Sequence, residues 1–430
     1  MNLARLPFHY GWVVVIASAL VMFINTSLFL TFGVFLDPIS QSTGWSRGDV
    51  SGVYAIHWIV GGIAVFGVGW FIDRFGSRRA IVLGSFLVAV SLVLSGFSKA
   101  LWQLNLFYGI LFGIGRSNLL VPVQVTVGLW FRRRLGLAMG ITNISLALGP
   151  LLMSPIWRYL INAVGWENTF VLLGIAGGAL MAALSCFIPD QPRDVGLLPY
   201  GEGDGFSTAK ARPDHNPPYY REDQADFFRY AAGTPPFMLL ILIHFLGCAS
   251  HSIPLTHVVA MATDAGITPI AAATVLSMLS GFSLVSNFGS SVFTDKAGGK
   301  KALVFVMLLQ AVGVLILLGA RDLWTFYLFT LIFGLGYGGE MVVFPVINRQ
   351  YYGTAPIGRI YSSQMVGAGL GMAGGSYLGG LLFDMTGNYG SAIWLASLMS
   401  VAGFIVVLRL ASPFASGPDR EMREAEARLS

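Results

Sequence analysis

Long apolar runs, separated by short polar breaks, fill this chain from His9 to Leu410. They predict twelve helices, at 9–36, 48–72, 79–98, 100–128, 134–162, 167–188, 236–263, 268–293, 300–319, 322–348, 358–383 and 389–410. Each run approaches or exceeds the about 20 residues a helix needs to cross a bilayer. A single span in lipid must satisfy its own backbone hydrogen bonds, which selects helix. A membrane β-barrel would show alternating segments about half as long. The first run is too long for a signal-peptide core and has no small-residue cleavage site, so no cleavable leader is expected.

One polar interruption stands out. Residues 190–235 are rich in Pro, Gly, Asp and Arg and read as a linker, with one amphipathic turn near Asp223 to Tyr230. The organisation predicted is a six-helix bundle at 1–189, this linker, a second six-helix bundle at 236–410 and a tail at 411–430. The halves echo each other. Asp73-Arg74-Phe75-Gly76-Ser77-Arg78-Arg79 follows the second run, and Asp295-Lys296-Ala297-Gly298-Gly299-Lys300-Lys301 follows the eighth, 222 residues later. Phe112-Gly113-Ile114-Gly115 likewise matches Phe333-Gly334-Leu335-Gly336, each followed by a proline, Pro122 or Pro345. Parallel six-span repeats point to a two-bundle transporter built around a central site.

With 55% hydrophobic and 11% charged residues, the chain is excluded from the soluble globular class. Twenty-one of its 26 Lys and Arg residues fall on one side of the predicted topology, with both termini; Arg47, Lys99, Arg158 and Arg321 fall on or near the other. The positive-inside rule makes the first side cytoplasmic and predicts a multi-pass inner-membrane protein. That placement accounts for the net charge of +5 without a nucleic-acid partner. Cys186 and Cys248 lie within spans and show no disulfide framework or metal-ligand spacing, so both read as small packing residues. His57, His244, His251 and His257 do not read as a metal set either, and no metal or cofactor is expected.

The repeated loop joins an acid, a glycine turn and a basic cluster. Anchoring by positive charge explains Arg74, Arg78 and Lys296 but leaves Asp73 and Asp295 unexplained. A carboxylate at the end of one helix can bind the N-terminus of the next, or the cations, and let go in another conformation. These five residues are therefore expected to gate.

The loop, the twelve runs and the long middle segment resemble the major facilitator superfamily. His9-Tyr10-Gly11-Trp12-Val13-Val14 and Trp130-Phe131-Arg132-Arg133-Arg134-Leu135-Gly136 resemble two signature regions of its monocarboxylate transporter family. So do Phe32-Gly33-Val34-Phe35 and Thr43-Gly44-Trp45-Ser46-Arg47. Ile253-Pro254-Leu255-Thr256-His257 and Pro189 to Pro199 are similar to bacterial members, including oxalate–formate antiporter relatives. The resemblance implies the major facilitator fold and carriage of a small organic anion with a proton or a counter-anion, without ATP. In that family the eighth span carries an Arg preceded by an acid or amide; the positions here are Asn287 and Ser283, and no Lys or Arg occurs between Arg229 and Lys296.

Charges inside the spans are therefore the candidate working parts. Arg116 lies midway along the fourth run beside Gly113, Gly115, Ser117 and Asn118. Its planar fork suits a carboxylate; the alternative is a structural Arg bonded to carbonyls of a helix broken near Pro122. Glu340, in the repeat partner of that segment, is a candidate proton carrier, a partner of Arg116, or a carboxylate on local backbone. His57 is a second proton candidate and His257 a substrate contact. Tyr337, Tyr361, Asn118 and Asn287 are further cavity candidates. The expectation is a monomeric secondary transporter of a monocarboxylate in the lipid bilayer, not an enzyme. An organic anion exchanger and a membrane receptor or scaffold stand as rivals.

Overall fold

The structure, a computed structural model, describes residues 8–202, 228–229, 231–352 and 357–411. Among them are eleven helical stretches long and apolar enough to cross a membrane. One of these, Leu135–Ser185, has 51 residues, more than twice what a hydrocarbon core of about 30 Å requires. Within it Gly165 adopts φ 83° and ψ 161°, a non-helical backbone open to a residue without Cβ. The stretch is thus two spans, 135–164 and 166–185, and the described chain carries twelve. The connection expected between the fifth and sixth spans has shrunk to one residue.

The remaining spans are Gly11–Phe29 with Phe32–Thr43 (first), Arg47–Phe75 (second), Ser77–Gly96 (third), Leu101–Trp130 (fourth), Pro235–Asp264 (seventh), Pro269–Ala297 (eighth), Gly299–Gly319 (ninth), Leu323–Tyr352 (tenth), Ile357–Thr386 (eleventh) and Gly390–Arg409 (twelfth). The first span runs beyond its predicted end and breaks between Phe29 and Phe32. In a membrane the carbonyls loosened by such a break need other donors. Thr31 and Trp157 donate to the Ser27 carbonyl at 2.6 and 2.8 Å, and the Tyr108 hydroxyl donates to Leu28 at 3.3 Å. The fourth span is π-helical over Asn105–Phe112 before continuing as α-helix from Gly113. Such wide turns are rare and concentrate at functional sites.

The chain forms two compact units, Met1–Pro213 with Thr256–Ser277, and Asp214–Leu255 with Met278–Ser430. Small residues let the helices of each unit approach closely. In the first unit the fifth span meets the first at Gly149, where an added Cβ would lie 2.6 Å from Thr26 Oγ1. Thr26 donates to the Ser145 carbonyl at 2.8 Å and Ser145 to that of Ala19 at 2.7 Å. In the second unit the glycine-rich eleventh span uses Gly367, Gly371 and Gly375 against the seventh, while Gly369 and Gly374 face open space. Ahead of the tenth span, Asp322 accepts from the Thr325 hydroxyl and from the N–H groups of Thr325 and Trp324, and these bonds hold its carboxyl below the usual range.

Candidate functional site

Among the described residues, one polar cluster surrounds Arg116 in the first unit and another surrounds Glu340 in the second. In the first, Arg116 projects from the fourth span just beyond its π-helical stretch, half-buried. Its guanidinium carbon lies 4.0 Å from the Phe29 ring centroid and 5.3 Å from that of Trp58. Among the described residues it has no ion pair, and its Nε has no hydrogen-bond partner. A guanidinium at the bilayer centre costs at least about 2.5–3.5 kcal/mol on insertion scales. A desolvated cation–π contact returns about 2 kcal/mol. Two rings therefore offset much of the cost while leaving the charge itself unneutralised.

Glycine shapes the same place. A Cβ on Gly61 would stand 3.0 Å from Arg116 Nη2, and the Ser117 hydroxyl ties the helices by donating to the Gly61 carbonyl at 2.9 Å. His57 packs against the same aromatic group, its ring 4.9 Å from Phe29, 5.1 Å from Phe112 and 5.8 Å from Tyr108. Tyr54 lies parallel to Phe32 at 5.0 Å. The sequence reading had Arg116 and His57 as separate candidates; the fold sets both against Phe29.

In the second unit Glu340 is 2% exposed. Gln310 Nε2 donates to its Oε2 at 2.5 Å, and His251 Nδ1 lies 3.4 Å from the same oxygen. Tyr337 meets the His251 ring edge-on at 4.9 Å. His244 stacks on Phe344 at 3.9 Å, and Cys248 is buried beside it. Spacing along the chain did not disclose that His244, Cys248 and Glu340 share one pocket; that requires the seventh and tenth spans to be neighbours.

The other candidates fall as follows. Asn118 is buried and spends its amide on the Ile114 carbonyl of its own helix at 3.0 Å. His257 is fully buried and belongs to the first unit, and Asn287 is half-buried in the second. The side chains of Tyr361 and Asp295 lie outside the described residues, as do most of the linker and the tail. Asp73, Arg74, Arg78 and Lys296 are all exposed. The carboxylate at the start of the third span is not Asp73 but Asp190, whose Oδ1 accepts from the Arg78 N–H at 2.5 Å.

The family model for the major facilitator superfamily matches residues 15–318 and 237–430. The chain belongs to that superfamily. Its members are transporters, not enzymes, and this one is a multi-pass membrane protein. It is 27% identical over 367 residues to the uncharacterized MFS-type transporter YcxA of Bacillus subtilis, covering 84% of this chain and 85% of that one. It is 28% identical over 413 residues to monocarboxylate transporter 13 of Bos taurus, with 93% and 89% covered. A solved structure of a bacterial homolog to the human lysosomal transporter Spinster superposes with a TM-score of 0.67 at 14% identity, covering 94% and 95% of the two chains; that likeness concerns the fold.

Within the superfamily fold, the two motifs that suggested the monocarboxylate branch have a structural task. His9 Nε2 bonds the Leu198 carbonyl at 3.0 Å, and Trp130 Nε1 donates to Pro189 at 3.1 Å. Tyr200 donates to the Trp130 carbonyl and receives the N–H groups of Arg132 and Arg133. Trp12 meets Phe131 and Tyr200 edge-to-face at 4.9 and 5.7 Å, and Phe131 and Tyr200 pack tilted at 5.5 Å. These residues bind the start of the linker to the first and fourth spans.

Sequence reasoning missed one cluster. Arg47 was assigned to the outer margin as a topological charge, yet it is only 8% exposed. It bridges Asp37 of the first span and Asp264 of the seventh. The pattern Asp37…Arg47 across a short turn was its one visible sign.

Proposed function

We propose that this transporter carries a small organic anion, a monocarboxylate, by alternating access, with a proton as co-substrate. The observation that carries the reading is Arg116, a cation inside a span held by Phe29 and Trp58 and without an ion pair among the described residues. A monocarboxylate supplies one negative charge, and its two oxygens match the guanidinium fork. Relatives named monocarboxylate transporters, 24–28% identical to this chain, support the same substrate class. The Arg supplied by the fourth span takes the place of the one missing from the eighth.

His57 is the proposed proton seat. It and Arg116 both contact the Phe29 ring, and Tyr54, Tyr108 and Phe112 surround His57. A carboxylate arriving at Arg116 and a proton arriving at His57 then favour each other's binding, and such coupling is reciprocal. Asp73 with its basic neighbours is the proposed gate at the cytoplasmic face. Twenty-one of the 26 Lys and Arg residues support a topology with both termini and the linker on that face, in an inner membrane.

Purified protein in proteoliposomes tests the reading. Uptake of a radiolabelled monocarboxylate should rise with an inward proton gradient in wild type and fall to background in Arg116→Gln. Exchange indifferent to the proton gradient would favour an anion exchanger instead.

A further inference from the structure

We propose that His244, Cys248 and Glu340 form a binding site for a borderline-soft divalent transition ion of the zinc class, in the core of the second unit. The proposal is independent of the anion reading. It begins with spacing on a helix. Residues 244, 248 and 251 stand at i, i+4 and i+7 on the seventh span, which puts all three on one face. That face meets Glu340 of the tenth span. A ring nitrogen of His244, the Cys248 sulfur and a Glu340 oxygen all lie within 4.8 Å of one another, with all three residues buried. His251 stands beside the cluster as a partner of the carboxylate, its Nδ1 3.4 Å from Glu340 Oε2 and its Nε2 3.1 Å from the Met372 sulfur.

Burial without partners is the second observation. His244 Nδ1 and Glu340 Oε1 make no hydrogen bond, and His251 Nδ1 none beyond its approach to the carboxylate. The residues are 3%, 2% and 3% exposed. Buried polar atoms are nearly always satisfied, and an unsatisfied group needs an explanation such as an ion. His244 Nδ1 and Glu340 Oε1, two unpartnered atoms beside a buried thiol, share one explanation, a cation among them.

The surroundings also suit an ion. Gly247 leaves room for the carboxylate, since a Cβ there would stand 2.7 Å from Glu340 Oε1. Gln310 fixes the other oxygen at 2.5 Å, and Phe344 fixes the His244 ring. Outer partners that orient ligands in this way accompany functional metal sites. Thiolate, imidazole and carboxylate are the ligand types of zinc, whereas magnesium and calcium take oxygen sets. Bonds of about 2.0–2.3 Å in a tetrahedron place ligand atoms roughly 3.3–3.8 Å apart. The three side chains need to draw in by about 1 Å, within the reach of their rotamers. The bound ion ties the seventh span to the tenth.

The test is cobalt titration of the full-length protein in detergent, after chelator treatment. Co2+ should bind at one per chain, with tetrahedral ligand-field bands and a thiolate-to-cobalt charge-transfer band. Cys186 is exposed and remote from this pocket in the chain, so Cys186→Ser should keep the band while Cys248→Ser loses it. Gln310→Leu should weaken binding roughly tenfold or more, as loss of an orienting partner does. Zinc should displace cobalt and raise the melting temperature of wild type but not of Cys248→Ser. If Cys248→Ser fails to fold, the wild-type and Cys186→Ser spectra decide alone. An absent charge-transfer band, an octahedral spectrum, or a band lost in Cys186→Ser would overturn the proposal.

Discussion

Arg47 grips Asp264 with both prongs of its guanidinium, Nη1 to Oδ2 at 2.5 Å and Nη2 to Oδ1 at 2.8 Å. The same Nη2 reaches Asp37 Oδ1 at 2.7 Å, and Thr263 donates to the other Asp37 oxygen at 2.6 Å. One cation thus joins the first, second and seventh spans inside the first compact unit. Asp37 is 3% exposed, while the Asp264 side chain is 40% exposed.

That difference in exposure ranks two substitutions. Arg47→Gln strands the buried Asp37 carboxylate and should cost about 3 kcal/mol, as loss of one partner from a buried pair does. Asp264→Asn leaves the Arg47–Asp37 pair intact and should cost under about 1 kcal/mol. Melting temperatures of the two variants in detergent check the order. Equal losses would show that Asp37 does not depend on Arg47.

Much of this was legible in the sequence, for physical reasons. Twelve spans follow from apolar length, and Arg116 and Glu340 stand out because charges inside spans are costly. The break before Phe32 was not legible, because Trp157 and Tyr108 satisfy the loosened carbonyls from other helices. The carboxylate partners of Arg47 were not legible, because a cation at a span's end looks the same whether it faces water or two carboxylates. Phe29 and Trp58 carry no sign that they will cover Arg116, since aromatic residues are common in spans and pairing between helices decides which ones matter. His244 and Cys248 were passed over for the same reason, as Glu340 joins them only through the fold.

The proposed proton seat has its own signature. His57→Gln should abolish accumulation driven by an inward proton gradient while exchange between two substrate-loaded compartments persists. Proteoliposome uptake and exchange, measured side by side, separate the two modes. Full gradient-driven accumulation in the variant would remove His57 from the coupling.

The eleventh span offers a paired comparison. Gly375→Ala drives a methyl group into the Ala249 carbonyl and the Ser252 hydroxyl, whereas Gly374→Ala meets open space. The first should destabilise the protein by about 1–3 kcal/mol, as overpacking does. The second should be neutral or stabilising by up to about 1 kcal/mol, because Ala is the better helix former. Thermal unfolding of both variants is the measurement.

Orientation is testable through the exposed thiol. Cys186 is exposed near the end of the sixth span, and Cys248 is buried. With both termini cytoplasmic, a membrane-impermeant maleimide should label Cys186 only from the cytoplasmic side, in inverted vesicles. A cysteine placed at Lys99 in a Cys186→Ser background should label in intact cells. The opposite pattern would invert the topology.

The central claim is that Arg116 receives the substrate carboxylate. Its most direct test is ligand-induced thermal shift of purified protein across formate, acetate, lactate, pyruvate and aromatic monocarboxylates. Wild type should be stabilised by at least one of these. Arg116→Lys should show a weakened shift, because it keeps the charge without the fork, and Arg116→Gln should show none while remaining folded. No shift in wild type across the panel, or a shift of undiminished size and affinity in Arg116→Gln, would contradict the account.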